Sequence, residues 1–288
     1  MKKFISVVLF ALLFLVVPGT LDAQSVINPN APRDGPYVRE HINHRKPIDY
    51  TFLREADVMW AKRIWRVIDV REKLNLPIYN YENEPKKNRF SLFYIIKKGL
   101  EEGALHAYDN PVFDDEFQYE MPLSQVKAKL NRMDTSYSQN PNTGDIDTIL
   151  VPRAIESQQV VRYWVKEDWF FDKQRSVMDV RIIGICPLIE KKDENTGEFR
   201  SYEALFWLYF PECRPYFAQY EVFNRFNDAE RRTFDDIFHK RLFSSFIFKE
   251  SNVYNRQVYQ YAQNIDALLE ADRIKDDLFI IEHDLWHF

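Results

Sequence analysis

The feature that most constrains this chain is the stretch of residues 51–75, which contains neither glycine nor proline. Thr51 is a suitable N-cap, and Glu55 lies in the first turn, where the helix dipole favours an anion. Pro77 requires a helix to end near Asn75, because the residue before a proline avoids the helical conformation. The stretch therefore predicts one long N-terminal helix.

This predicted helix has apolar residues on two sides when about 100° is counted per residue. One side is wide enough to face a core and carries Leu53, Ala56, Trp60, Ile64, Val67 and Leu74. The opposite side brings Val58, Ala61 and Trp65 together among charged residues such as Arg66. Two interpretations remain open: other parts of the same chain cover Trp65, or these four residues form a binding surface for a partner protein.

The first 23 residues have the layout of a secretory signal. Two lysines precede an apolar run over residues 4–17, and small residues precede a cleavage site before Gln24. The run is too short to span a bilayer, and no cysteine at the cleavage site could carry a lipid. We therefore expect an exported protein with no transmembrane segment in the mature chain.

Residues 24–48 contain Pro29, Pro32, Pro36 and Pro47 and few large apolar residues. This composition predicts a Pro-rich, extended and semi-rigid arm. The arm is either a flexible leader or a segment that docks on a neighbouring subunit.

Residues 49–288 contain enough apolar residues for one globular domain, with a candidate division into two subdomains near residues 134–157. The whole chain is 45% hydrophobic and 16% aromatic, and its formal net charge is −5. Because basic and acidic residues are interspersed, no polybasic surface is available to neutralise phosphates. Nucleic acid is therefore a poor candidate partner.

The periodicity of the remaining sequence predicts further helices and an antiparallel sheet built on a hairpin. Helices are predicted at residues 90–102, 122–132, 229–241 and 264–284, strands at 105–108, 160–166, 177–189 and 202–210, and an exposed loop at 134–147. Gly103 is the expected stop of the second helix, and Asn227 or Asp228 the expected cap of the fourth. The predicted class is α+β, with the long N-terminal helix packed on further helices and the sheet, and a C-terminal helix.

The two cysteines of this exported chain are predicted to be free thiols. If the last two strands pair so that their residue numbers sum to about 391, Cys186 lies opposite Leu205 and Cys213 opposite Met178. At ~3.3 Å per residue the two cysteines are then roughly 26 Å apart, whereas bridged Cα atoms lie within about 7 Å.

Motifs that would indicate an enzyme are weak. The chain has only seven glycines, and none forms a nucleotide-binding loop or a serine elbow. Asp114, Asp115 and Glu116 could act as acid and base in a hydrolase, but surface clusters of this kind are common. Asp145 and Asp147 resemble the start of a calcium loop without the later ligands.

The C-terminal HDLWH places His283 and His287 four residues apart, as in zinc proteases. Asp284 is shorter than the glutamate that acts as base there, and a third ligand would have to come from His239, His106 or a distant carboxylate. We therefore assign no catalytic, cofactor-binding or metal-binding residue and expect no cofactor. An exported metal-dependent or carboxylate-based hydrolase is the alternative.

Three segments carry a resemblance to a known family: READVMWAKRIWRVIDVREKLNLPIY, EDWFFDKQRSVMDVRIIGICPL and ALFWLYFPECR. They are similar to the GldN family, called PorN in non-gliding relatives, from the type IX secretion and gliding machinery of Bacteroidetes. The resemblance implies a periplasmic structural subunit, and not an enzyme, at the inner face of the outer membrane. It also implies assembly of several copies with a GldK/PorK-like outer-membrane lipoprotein into a ring, with a GldM/PorM-like periplasmic shaft as a second candidate partner.

Overall fold

A seven-stranded antiparallel sheet forms the centre of the structure, a computed structural model that describes residues 44–79, 90–108, 115–139, 146–192, 197–227 and 229–285. The strand order is β11 (Phe246–Glu250), β1 (Val58–Asp69), β5 (Val160–Asp172), β6 (Val177–Lys192), β8 (Trp207–Tyr209) and β2 (Ala107–Tyr108). β7 (Phe199–Ala204) also pairs with β6. Two separate hairpins join β3 (Asn131–Gln139) to β4 (Ile146–Ala154), and β9 (Glu221–Val222) to β10 (Arg232–Thr233).

Most helices of the described residues are short. They are α1 (Leu76–Tyr79), α2 (Leu92–Glu101), α3 (Leu123–Leu130), α4 (Phe210–Phe217), α5 (Phe234–His239) and α6 (Ile265–Asp284). Only α6 reaches 20 residues. None of the helices in the described ranges is long and apolar enough to cross a membrane.

The predicted long helix over residues 51–75 is wrong, because this stretch contains strand β1. β1 pairs with β5 on one side and with β11 on the other, so it is an inner strand of the sheet. Every residue from Ile64 to Val70 is buried, including the charged Arg66 and Asp69. A strand buried on both faces does not alternate between apolar and polar residues, and this removes the usual period of two.

The predicted α+β class with an N-terminal helix is therefore corrected to a mostly antiparallel β structure with short helices. The C-terminal helix is the part of that prediction that is confirmed, since α6 spans Ile265–Asp284. α2 is also confirmed: Ser91 caps its start, and Gly103 follows it with a positive φ of 72°.

Two other predicted segments differ from the structure. The loop predicted at 134–147 is wrong where it is described, because β3 and β4 pair there as a hairpin; its NPNTGD tip lies outside the described residues. The helix predicted at 229–241 is limited to α5. Thr233 and Asp236 form a capping box, so the N-cap is Thr233 and not Asn227, which lies six residues earlier.

The predicted pairing of 177–189 with 202–210 is confirmed in outline. Leu188 pairs with Ala204 and Ile185 with Leu208, so the residue numbers sum to 392 and 393. The chain then enters α4 at Phe210, which places Cys213 in a helix and not opposite Met178. Both cysteines are free, as predicted, although the strand register is not the reason for Cys213; both are also buried.

The sheet contacts different partners on its two faces. On one face, Ile64 and Ile247 pack against Ala271, Ile274 and Leu278 of α6. On the other face, Trp65, Cys186 and Trp207 form an aromatic cluster. A larger core lies under α2, α4 and α5.

The described residues all belong to one compact unit. The predicted signal at residues 1–23 lies outside the described residues, as does the predicted arm apart from residues 44–48. The division of the domain near residues 134–157 remains a prediction.

Candidate interaction surface around the central strand

The four residues predicted to bind a partner do not share one face. Successive side chains of a strand point to opposite sides of the sheet, so the adjacent residues Trp65 and Arg66 lie on opposite faces of β1. Ala61 is exposed on the Trp65 face, and Val58 lies beyond a bulge at the start of the strand. The helical face that motivated the prediction is therefore wrong, while a partner-binding role for these residues remains a prediction.

Trp65 is held by polar contacts as well as by packing. Only 6% of its surface is exposed. Its indole Nε1 donates a hydrogen bond to Asp115 Oδ2 at 2.5 Å, and Lys249 Nζ lies 4.1 Å from the centroid of its ring. These contacts within the chain favour the interpretation that the chain itself covers Trp65.

Lys166, the residue of β5 that pairs with Trp65, is also buried. Its Nζ donates to the backbone oxygen of Asp115 at 2.5 Å and lies 3.3 Å from the carboxylate of the same residue. Burial lowers the pKa of Lys166, and the negative charge of Asp115 opposes this effect. Asp115 thus fixes the segment after residue 114 to both Trp65 and Lys166.

Phe117 covers the same part of the sheet. Its φ is 59°, an unusual value for a residue with a side chain, and Lys166 Nζ lies 5.3 Å from the centroid of its ring. A Cβ atom at Gly184 would lie 2.6 Å from the ring of Phe117. A glycine is therefore required at position 184 if Phe117 is to lie against β6.

Arg66 belongs to an ion-pair group on the opposite face. Arg66 Nε lies 3.1 Å from Glu167 Oε2, and Arg241 Nη1 lies 2.9 Å from Glu167 Oε1. Both guanidinium groups also lie 5.5 Å from the centroid of the Trp169 ring. Because Glu167 is fully buried, the two arginines neutralise a charge that would otherwise be costly inside the protein.

The exposed part of the predicted surface is a shallow cleft of about 370 Å³ near Ala61. Arg63 and Asp168 form one wall and are joined by two hydrogen bonds of 2.6 and 2.9 Å. Asn252 and Asn255 line the other side. Ala61, Lys62, Trp65 and Ser251 also line the cleft, so it combines charged, polar and apolar side chains.

The residues considered for chemistry are dispersed. Asp115 is engaged with Trp65 and Lys166, Glu116 accepts a hydrogen bond from Gln118, and Asp114 lies outside the described residues. His283 is exposed on α6, while His287 and Asp145 lie outside the described residues. Within the described ranges, no three His, Cys, Asp or Glu side chains are placed to hold a metal ion.

Sequence reasoning missed the outward surface of α6. Five large apolar residues there are between 53% and 71% exposed, and we call them the outer α6 face: Ile265, Leu268, Leu269, Phe279 and Ile280. The helix was predicted, but its apolar residues were not divided into a buried and an exposed set. Counting about 100° per residue from buried Ile274 would have separated them.

Sequence reasoning also missed how the end of the arm is attached. The ring of Tyr50 lies 5.1 Å from the guanidinium of Arg181 and 4.1 Å from that of Arg214. Arg214 donates to the backbone oxygen of Ile48 at 2.6 Å, and Arg45 lies 2.9 Å from Asp236. Residues 45–50 are therefore bound to the domain next to α4 and α5.

Comparison with known proteins agrees with the resemblance drawn from the sequence motifs. The family model described as Gliding motility associated protein GldN matches residues 53–287. A search of curated proteins finds no match. Because the family match covers most of the chain, including the sheet, the Trp65 cluster and α6, the protein belongs to the GldN family and is associated with gliding motility and type IX secretion.

Proposed function

We propose that the protein is a non-enzymatic structural subunit of the type IX secretion and gliding machinery. It acts in the periplasm at the inner face of the outer membrane, where several copies assemble with a GldK/PorK-like lipoprotein into a ring. A GldM/PorM-like shaft is the second candidate contact. The observation that carries this proposal is the GldN match over residues 53–287.

The buried charges support a structural role, because they connect strands to one another. Arg66, Glu167 and Arg241 link β1 and β5 to the segment after α5. On the other face, Asp115 links Trp65 and Lys166. Charged side chains in these ion pairs fix the positions of the strands. A structural role for the buried charges is consistent with a protein that acts by assembling with other subunits.

Surface features support assembly with other subunits. The outer α6 face exposes five large apolar side chains, and exposed apolar patches mark interaction sites. The contacts of Arg45, Ile48 and Tyr50 give the arm a defined starting point on the domain. An arm that starts from a defined point can reach a neighbouring copy with less loss of entropy than a free leader.

Co-purification from outer-membrane extracts tests the proposal. We expect the tagged full chain to be recovered with the GldK/PorK-like lipoprotein in assemblies much larger than a monomer. Deleting residues 24–43 leaves the Arg45 and Tyr50 contacts in place and should reduce recovery of the lipoprotein. Phe226→Ala, at an exposed apolar residue of the β9–β10 connection, serves as the matched control and should behave as wild type.

The outcomes separate the parts of the proposal. If the full chain is recovered without the lipoprotein and outside the outer-membrane fraction, the assembly proposal is wrong. If the deletion variant assembles as well as the full chain, the arm is a leader and does not dock on a neighbour. Assembly itself would then still stand.

A further inference from the structure

Helix α6 has two apolar sides, and the sheet covers only one of them. Ala271, Ile274 and Leu278 are buried against Ile64 and Ile247. Counting about 100° per residue from Ile274, the outer α6 face lies within about 60° of the opposite side. A helix with apolar residues on its solvent side indicates a surface that another molecule covers.

The outer α6 face is divided by acidic residues. Leu268 and Leu269 lie near its start and Phe279 near its end, about 16 Å apart at 1.5 Å per residue. Asp272 and Asp276 lie between them, and both are exposed. The nearby Arg273 is bound to Glu270 and Asp277, so among the described residues no ion pair neutralises Asp272 or Asp276.

This pattern disfavours pairing with a second α6. In an antiparallel pair centred on Ile274, Leu268 of one copy would face Ile280 of the other, which is favourable. The same arrangement places Asp272 of each copy opposite Asp276 of the other copy. A parallel pair in register places each aspartate opposite its own copy, so acid faces acid in both arrangements and like charges repel.

We propose that the outer α6 face binds a helix of a different subunit that has apolar residues at both ends and lysine or arginine between them. This inference rests on the proposed function, since it assigns a surface to the assembly with other subunits. The apolar ends supply contact area, and the central cations pair with Asp272 and Asp276. The two aspartates determine the specificity for the partner, because the apolar residues alone would also bind a second copy of the chain.

Two synthetic helical peptides test the surface directly. Both carry leucine pairs eleven residues apart on one face; one has two lysines between the pairs and the other has two glutamates. We expect the full mature chain to bind the lysine peptide roughly tenfold more tightly than the glutamate peptide in a fluorescence anisotropy titration at low salt. The double variant Asp272→Lys with Asp276→Lys should reverse this preference.

Matched variants separate binding from folding. Leu268→Ser with Leu269→Ser changes only exposed side chains, so thermal unfolding should be unchanged while binding of the lysine peptide is lost. Phe226→Ser, at an even more exposed apolar residue outside α6, should bind as wild type. Equal binding of the two peptides by the wild type, or binding by the serine double variant, would overturn the inference.

The peptide result is independent of the lipoprotein result. If the chain prefers the lysine peptide but does not co-purify with the lipoprotein, the inference about the outer α6 face stands and the proposed partner is wrong. If the wild type and the Leu268→Ser, Leu269→Ser variant co-purify with the lipoprotein equally well, the proposed function stands and the lipoprotein contacts another surface. A membrane is the other candidate for this face. If the wild type binds neither peptide but sediments with phosphatidylglycerol vesicles, and the serine variant does not sediment, the face binds a membrane and the inference is overturned.

Discussion

Trp65 is the residue on which the two interpretations of the sequence differ most. Its indole nitrogen is bound to Asp115, its ring contacts Lys249, and it packs in the cluster with Cys186 and Trp207. Trp65→Ala should therefore lower the free energy of unfolding by about 3–5 kcal/mol, the usual cost of truncating a large buried side chain. Urea denaturation followed by circular dichroism measures this.

Val253→Ala provides the control for Trp65, because Val253 is 97% exposed and its truncation should change the free energy of unfolding by less than about 0.5 kcal/mol. A Trp65→Ala protein that is as stable as wild type but no longer recovers the lipoprotein would show that Trp65 acts at a subunit contact. That result would contradict its role in the core.

Asp69 at the end of β1 makes stability depend on pH. Burial would raise the pKa of Asp69, but hydrogen bonds from Arg71 and Arg162 outweigh burial and lower the pKa to about 2, from an ordinary value of 3.8. A carboxyl with a lowered pKa stabilises the fold fully above its unfolded pKa, and the contribution is lost as the pH falls from about 5 towards 2. Its size is about 2 kcal/mol.

Asp69→Asn should therefore lower the free energy of unfolding at pH 7 and flatten its dependence on pH between 5 and 2. Denaturation curves at several pH values for both proteins measure the difference. Asp179→Asn is a suitable comparison, because the Asp179 carboxylate is more exposed; it pairs with Arg175 at 3.0 Å and accepts a hydrogen bond from the backbone N–H of Val180. Equal pH dependence in wild type and Asp69→Asn would show that Asp69 is not responsible.

At the scale of elements, the misassignment of β1 has a physical cause. Its residues include many that favour strands, among them Val58, Trp60, Ile64, Val67 and Ile68. The absence of glycine and proline and the many charged residues favoured a helix instead. Arg66 and Asp69 do not mark a solvent face, because each is buried in an ion pair with residues distant in sequence. Periodicity could not reveal those partners.

Alanine-to-valine substitutions distinguish a strand from a helix. Ala61 is exposed in β1, and Ala128 is exposed in α3. Because valine favours strands, Ala61→Val should raise the free energy of unfolding by up to about 1 kcal/mol. Because valine disfavours helices, Ala128→Val should lower it by about 0.5 kcal/mol. Thermal unfolding of the two variants beside wild type measures both signs, and a loss at both positions would contradict the strand.

Elements with local signals could be predicted, whereas elements that depend on distant partners could not. α2 has a serine cap and a glycine stop, and the β6–β7 hairpin joins neighbouring segments. β11 has only five residues and exists because β1 lies beside it. The same holds for the outer α6 face. The apolar residues of α6 are evident in the sequence, but the sheet covers only those that contact Ile64 of β1 and Ile247 of β11.

At the scale of the whole molecule, the sheet brings together segments that are far apart in the sequence. Residues 45–50 are bound near α4 and α5, β1 follows them, and the neighbours of β1 come from the middle of the chain and from near its C-terminus. Helix α6 then covers one face of the β1–β11 pair. The surfaces assigned to partners, the arm and the outer α6 face, therefore both depend on a correctly completed sheet.

The inner position of β1 determines the order in which the protein can fold. β1 is made long before β11, yet Ile64 of β1 pairs with Glu250 and Trp65 with Lys249 of β11. Until then, the apolar residues of β1 lack one neighbouring strand and the cover of α6. Pairing between such distant segments is slow, and exposed strands of this kind aggregate. The central sheet therefore cannot be completed until β11 has been made and has paired with β1.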